Sequence, residues 1–207
     1  MSSLHPEACV CPFPDNATRF NVPPTTSFRS TWLASSLRSL RERELFDGYL
    51  ENLPKEHHAA ILTSVAGVWL PAEVATSHYL ACDALHLSEA VQLSIGADVA
   101  KNAQATVLGT AVRLAKGAGV TPWTVLERFP QLWARIWIGG GVAIYRLGPK
   151  DARLEVAGWP CSRIPYAKTA MRGVTGGLIE LFCHQVFVSQ IDRLCTSTTL
   201  GYHFAWV

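Results

Sequence analysis

Apolar side chains recur along this chain with two different periods, and the period changes near residue 139. From residue 30 to about 137 the spacing is helical. Leu33, Leu37 and Leu40 make one stripe, and Phe46, Tyr49, Leu50 and Leu53 make a second in a different phase. Two helices, or one helix burying different faces along its length, would give that shift. Ser30 or Thr31 is placed to cap the first helix, which begins near Trp32. Pro54 opens another through about Val68, carrying Ile61, Leu62 and Val65. Trp69-Leu70-Pro71 interrupts it, because Pro71 suits the first turn of a new helix that runs to about Leu87. Ser88 and Glu89 start the next, with Gly96 marking its end. Val99, Ala103, Val107, Ala111 and Leu114 then follow an i, i+4 row closed by Gly117-Ala118-Gly119. Thr121-Pro122 begins a short helix holding Val125, Leu126 and Phe129, which Pro130 ends. The period does not assign Leu132 to Trp137.

Beyond Gly139 the period falls to two. Val142–Leu147 and Arg153–Ala157 flank Gly148-Pro149-Lys150-Asp151, a turn composition that predicts a hairpin. Alternation puts Leu154 and Val156 on one face, with Arg153, Glu155 and Ala157 on the other, solvent-facing side. Ala167, Met171, Val174, Leu178 and Leu181 return to helical spacing. Gly173, Gly176 and Gly177 sit inside that helix, where each costs about 1 kcal/mol relative to Ala, so close approach to a neighbouring element is expected. Phe187–Cys195 and Leu200–Val207 form a last hairpin around a Thr/Ser loop. The predicted architecture is α+β: an N-terminal helical layer packed on a C-terminal antiparallel sheet, with one inserted amphipathic helix. Residues 1–29 hold five prolines and read as an extended or disordered arm, partly docked through Phe13 and Phe20. Residues 30–207 read as a single domain.

Composition narrows the function. Of the 207 residues 49% are hydrophobic and only 16% charged, well under the usual quarter of a soluble domain. Neutral, apolar surface is therefore expected, and with it a protein partner or a homodimer. A net charge of +2, with basic residues dispersed, argues against nucleic acid. No apolar run is long enough for a membrane span, and the first residues do not form a secretory signal, so a cytoplasmic protein is expected. Six scattered cysteines read as free thiols in a chain of this size.

Candidate chemistry is sparse. His78, Cys82 and His86 stand at i, i+4 and i+8, on one flank of a helix, where imidazole and thiolate could share a zinc or a haem iron. The bland alternative is two histidines at the edge of the core and a small buried thiol. Cys161 and His184 could form a nucleophile and base if the Gly-rich helix folds one back over the other. Buried inertness of the thiol is the competing reading. Cys9-Val10-Cys11 offers two thiols on an exposed, flexible arm, too few for a metal site. Gly139-Gly140-Gly141 lacks the Gly-Lys-Ser/Thr ending of a phosphate loop and precedes a strand, which suits a backbone of positive φ instead. Aromatic residues crowd the C-terminal half. Trp137, Tyr145, Trp159, Tyr166, Phe182 and Trp206 are the candidate ligand-binding residues, with core packing as the alternative. No catalytic residue, resident metal or cofactor is assigned.

Trp69-Leu70-Pro71, Gly96, Leu132-Trp133, Leu154-Glu155-Val156-Ala157-Gly158-Trp159-Pro160, the Gly173–Leu178 helix and the closing Tyr202-His203-Phe204-Ala205-Trp206 come in an order that resembles an uncharacterised paralogous family of roughly 200-residue myxobacterial proteins. The likeness runs from about Leu45 to the end. More distantly, the ending resembles the α/β fold of haem-nitric-oxide-binding-related, vinyl-reductase-type and vesicle-tethering-subunit domains. That resemblance implies binding of a small apolar ligand or a partner without catalysis. The Tyr-x-Ser-x-Arg signature that holds haem propionates in nitric-oxide sensors is missing. The sequence thus points to a non-enzymatic signalling or regulatory module that binds a small apolar ligand or a protein partner. The alternatives are a metal or haem sensor on the His78 face and an enzyme built on Cys161 and His184.

Overall fold

The structure is a computed structural model that describes residues 8–103 and 121–207. It is α+β. Five strands form one antiparallel sheet: β1 (Ala8–Cys11), β5 (Gly141–Gly148), β6 (Asp151–Ala157), β8 (Thr199–Trp206) and β7 (Val186–Gln190), in that spatial order. A small sheet places β2 (Ser27–Arg29) between β3 (Trp69–Pro71) and β4 (Trp137–Ile138). The helical layer contains α1 (Ser30–Glu42), α2 (Phe46–Asn52), α3 (Lys55–Leu62), α4 (Ala72–Asp83) and α5 (Glu89–Ala103). Then come α6 (Pro122–Leu126) and α7 (Phe129–Ile136), and α8 (Pro165–Ile179) is inserted between β6 and β7. Both predicted hairpins form, Val142 opposite Val156 in one and Val188 opposite Phe204 in the other.

Helix α8 is the axis of the molecule, with α5 on one side and the sheet on the other. Its Gly176 lies against Val188 of β7, and the Tyr202 hydroxyl of β8 donates to the Lys168 carbonyl at 2.7 Å. On the opposite side the glycines settle how closely α5 approaches. A Cβ built on Gly173 would lie 2.2 Å from the Leu93 carbonyl oxygen, and one on Gly96 would lie 2.1 Å from the Ala170 carbonyl oxygen. The contact is reciprocal, and neither backbone leaves room for a methyl group. Gly96 therefore does not end its helix, contrary to its reading as a terminator. Of the predicted i, i+4 row, Val99 is buried on α5 and Ala103 is that helix's last residue; Val107, Ala111, Leu114 and the Gly117–Gly119 stop fall outside the described residues.

Other boundaries also differ from expectation. The helix opened by Pro54 ends at Leu62, and Trp69-Leu70-Pro71 is an edge strand paired to β2 rather than a helical interruption alone. Pro130 occupies the first turn of α7 instead of closing its predecessor, where its missing N–H has no carbonyl to lose. The last hairpin's first strand stops at Gln190, short of Cys195.

Residues 8–29 are part of the folded unit, where the sequence predicted an arm over 1–29 ahead of a domain spanning 30–207. β1 adds to the edge of the large sheet and β2 is the centre of the small one. Between them the chain crosses the outer face of the large sheet. Phe13 and Val22 pack there on Ala143 and Ala157, whereas Phe20 is 78% exposed and docks nothing. This strap corrects the predicted solvent face of β6. Arg153 and Glu155 are buried beneath it, paired to each other at 2.9 Å, with Arg19 of the strap 3.9 Å from the Glu155 carboxylate. Gly139 and Gly140 take φ of 80° and 61° where β4 turns into β5, and the Gly140 N–H donates to Pro23 O of the strap. Among the described residues no helix is long and apolar enough to cross a membrane.

Candidate functional site

A cavity of about 80 Å³ opens within the helical layer, on the side of α8 facing α1 and α7. Its walls are Phe28 of β2, Trp32, Leu33 and Ser36 of α1, and His78 and Tyr79 of α4. Ile95 and Val99 of α5, Phe129, Leu132, Trp133 and Ile136 of α7, Trp137 of β4, and Tyr166, Ala170, Met171, Val174, Thr175 and Leu178 of α8 complete them. The opposite side of α8, against the final hairpin, is closed by Leu200, Tyr202 and Phe204, each fully buried. Rings follow one another around the site. Phe28 stacks on Trp137 at 5.6 Å, Trp137 on Trp133 at 5.8 Å, and Trp159 meets Trp133, Trp137 and Tyr79 edge-on from behind.

The polar part of the wall is a short chain of hydrogen bonds. His78 Nδ1 lies 2.9 Å from Tyr49 Oη and its Nε2 lies 3.0 Å from Ser36 Oγ. The Cys82 thiol is 3.8 Å from the same Nε2. Burial pushes His78 down to about 3, so the ring is a neutral relay between two hydroxyls, one nitrogen donating and the other accepting. Burial likewise raises the Cys82 thiol and the Tyr49 phenol. Thr175 turns its hydroxyl back to the carbonyls of Met171 and Arg172. Tyr166 is 1% exposed, its hydroxyl closed in beside the Cys82 thiol and the Ser36 hydroxyl, and burial raises its phenol well above the usual range.

Of the six aromatic candidates, the cavity gathers Trp137 and Tyr166. Trp159 supports the wall without lining it. Tyr145 lies on the outer face of the sheet under the Arg153 guanidinium, 4.2 Å away. Phe182 is in the turn after α8, and Trp206 packs on Trp123 at 5.3 Å. These last three do not line the cavity: Tyr145 is on the far face of the sheet, and Phe182 and Trp206 lie at the carboxyl ends of α8 and β8. The sequence reading missed Phe28, Ser36 and Thr175. Ser36 carried a signal: it falls between Leu33 and Leu37 on the buried stripe of α1, where a hydroxyl needs a buried partner.

The two chemical alternatives do not assemble. Helix α4 stops at Asp83, and His86 is exposed beyond it with φ of 49°, so it leaves the flank shared by His78 and Cys82. Among the described residues no cluster of three His, Cys, Asp or Glu could hold a metal. Cys161 lies ahead of α8 and the exposed His184 lies beyond its far end, and a 15-residue helix holds them about 20 Å apart. Burial pushes the Cys161 thiol up to about 12, with Thr76 as its neighbour at 3.7 Å. The native protein is therefore expected to leave Cys161 unalkylated at mildly alkaline pH while the exposed Cys9 reacts, as read by mass spectrometry of the labelled peptides. Cys9 and Cys11 belong to the paired strand β1 rather than to a flexible arm, and all six cysteines are free thiols.

The sequence matches no family model and no curated relative. Solved structures do match. One, described by its work on haem redox potential under protein-induced porphyrin distortion, has a TM-score of 0.56 at 10% identity, covering 86% of this chain and 99% of its own. Another, concerned with haem distortion in the H-NOX family, has a TM-score of 0.58 at 11% identity, covering 86% and 94%. A point variant of the T. Tengcongensis H-NOX has a TM-score of 0.57 at 11% identity, covering 86% and 97%. At such identities what is shared is the fold: this chain has the α+β architecture of the H-NOX domains.

Proposed function

We propose that this protein is a non-enzymatic regulatory domain that binds a small apolar molecule in the cavity between α1, α4, α7 and α8. The observation that carries the reading is the wall itself. It is made of rings and aliphatic side chains, with a few convergent polar groups, which is the usual make-up of a ligand site. No described wall residue is charged, and His78, held neutral with both nitrogens engaged, is a poor general base. The fold shared with H-NOX domains, whose descriptions concern haem, supports a ligand-binding reading.

Haem, named in the descriptions of the structural relatives, does not fit these residues. A volume of about 80 Å³ is far below the roughly 300 Å³ at which sites begin to enclose drug-sized ligands, and a porphyrin is larger still. His78 is the one histidine of the wall, and it would have to give up Tyr49 or Ser36 to reach an iron. No described wall residue is a cation able to pair with a propionate. Residues 104–120 contain no His, Cys, Met or Tyr.

Two titrations of the purified protein test this. Isobutene is expected to shift the indole N–H signal of Trp133, which donates to the Gly139 carbonyl at 3.0 Å, and to do so saturably. Hemin is expected to produce no saturable Soret band. An unmoved Trp133 signal overturns the cavity reading, and a stoichiometric Soret complex replaces it with the haem one.

A further inference from the structure

We infer that strand β7 is a docking edge for a second copy of this chain, whose own β7 adds to it antiparallel about a two-fold axis at Val188. The ladder to β8 shows which backbone groups serve this. Gln185 and Val207 exchange hydrogen bonds in both directions, at 3.4 and 3.0 Å, and the Ile191 N–H donates to the Gly201 carbonyl at 2.8 Å. The register between those points is unbroken, from Val186 opposite Trp206 to Gln190 opposite Tyr202. Odd-numbered residues of β7 therefore turn their N–H and C=O groups inward, and Val186, Val188 and Gln190 turn theirs outward. On that outward side β7 is the last strand, and among the described residues no strand pairs with it. Proteins usually blunt such an edge with a charge, a proline or a bulge. The opposite edge strand, β1, has a bulge between Cys9 and Cys11. Val186-Phe187-Val188-Ser189-Gln190 has none of the three, and Phe187 is 53% exposed.

Self-complementarity identifies the occupant. About Val188 as the centre, Val188 meets Val188 of the second copy and Val186 meets its Gln190. These are the residues with outward backbone groups, so about six hydrogen bonds close the seam. Phe187 falls opposite Ser189 of the second copy, and no charge meets a like charge along the strand. Two residues beyond each end of β7, the same register sets the exposed His184 against the exposed Asp192 of the second copy, a basic group against a carboxylate. A seam of five residues a side buries less than the roughly 1,200 Å² of a stable interface. The dimer is accordingly weak and reversible, with a dissociation constant on the order of 10–100 µM.

Sedimentation equilibrium of the full-length protein from about 5 µM to about 1 mM is expected to show this equilibrium. Over the same range amide hydrogen exchange, read by NMR, is expected to slow at Val186, Val188 and Gln190 and to change little at Phe187 and Ser189. Val188→Pro deletes an outward N–H while sparing the ladder to β8, and is expected to weaken the dimer about tenfold or more. His184→Lys is expected to tighten it about threefold by facing Asp192, and adding Asp192→Lys to reverse that gain by setting lysine against lysine. A wild-type chain still monomeric at the highest concentration overturns the proposal and leaves the edge to a strand of some other protein. A dimer that tolerates Val188→Pro and both lysine variants uses a different surface and overturns it too. If Val188→Pro does not fold, the exchange pattern and the lysine pair decide.

Discussion

Replacing Gly173 with alanine is expected to destabilise the protein by about 3 kcal/mol or more, the upper range for overpacking a closed core. The new methyl carbon would stand 2.2 Å from the Leu93 carbonyl oxygen and 3.0 Å from the Leu93 Cα. These are backbone atoms, so no side-chain rotation relieves the clash, and α5 and α8 must separate. The gain in helix propensity, about 1 kcal/mol for Gly to Ala, acts in the opposite direction and is the smaller effect. Gly96→Ala is expected to behave alike, because its methyl would meet the Ala170 carbonyl oxygen at 2.1 Å. Gly177→Ala provides the contrast: its closest approach is 3.3 Å, to the Cα of Ala97, so a much smaller change is expected. Urea unfolding of the three variants checks this. Equal midpoints for Gly173→Ala and the wild type would show that the helices are not locked by this contact.

The second large effect is acid sensitivity centred on His78. Its folded-state pKa is lowered from 6.5 to about 3 because burial disfavours the imidazolium. The unfolded chain therefore takes up a proton that the folded one refuses. The resulting stability is fully present above pH 6.5 and is lost as pH falls from there towards 3. At 1.36 kcal/mol per pH unit, the loss between pH 6.5 and about pH 5 amounts to about 2 kcal/mol. Chemical denaturation at a series of pH values measures it, with His78→Gln as the reference: the variant should lose that part of the slope, whatever its own stability at neutral pH. A wild-type slope matched by the variant would mean that His78 is protonated in the folded state. Because the folded protein keeps His78 neutral over this range, its bond to Ser36 on the cavity wall is expected to persist in the native state down to about pH 3.

Much of the architecture is written in local pattern. The change from helical spacing to alternation near Gly139, the Gly-Pro-Lys-Asp turn and the apolar positions of α8 each express a constraint felt within one element, and they led to the α+β fold, both hairpins and the inserted helix. Prolines were less legible, since Pro130 can end one helix or begin the next, and only the chain on either side decides. Gly96 was misread for a related reason. A glycine that terminates a helix and a glycine that admits a neighbouring backbone look alike in sequence, and here the neighbour lies more than seventy residues away.

The candidate site depended on tertiary structure to a greater degree. The sequence marked Trp137 and Tyr166 among its aromatic candidates. It also offered Tyr145, Phe182 and Trp206, because aromatic residues near one another in the chain need not share a surface once alternate strand positions face opposite ways. It took Arg153 and Glu155 for solvent-facing residues, since nothing in β6 reveals that the strap bearing Phe13, Arg19 and Val22 will cover that face. Periodicity thus determined which elements form and which stripe of each is apolar, a matter of backbone geometry acting over a few residues. Where those stripes fail to meet, leaving a cavity between α1, α7 and α8 and joining Ser36 to His78 across α1 and α4, was decided only when helices distant in sequence came together, because packing is a property of pairs of surfaces and no single segment contains it.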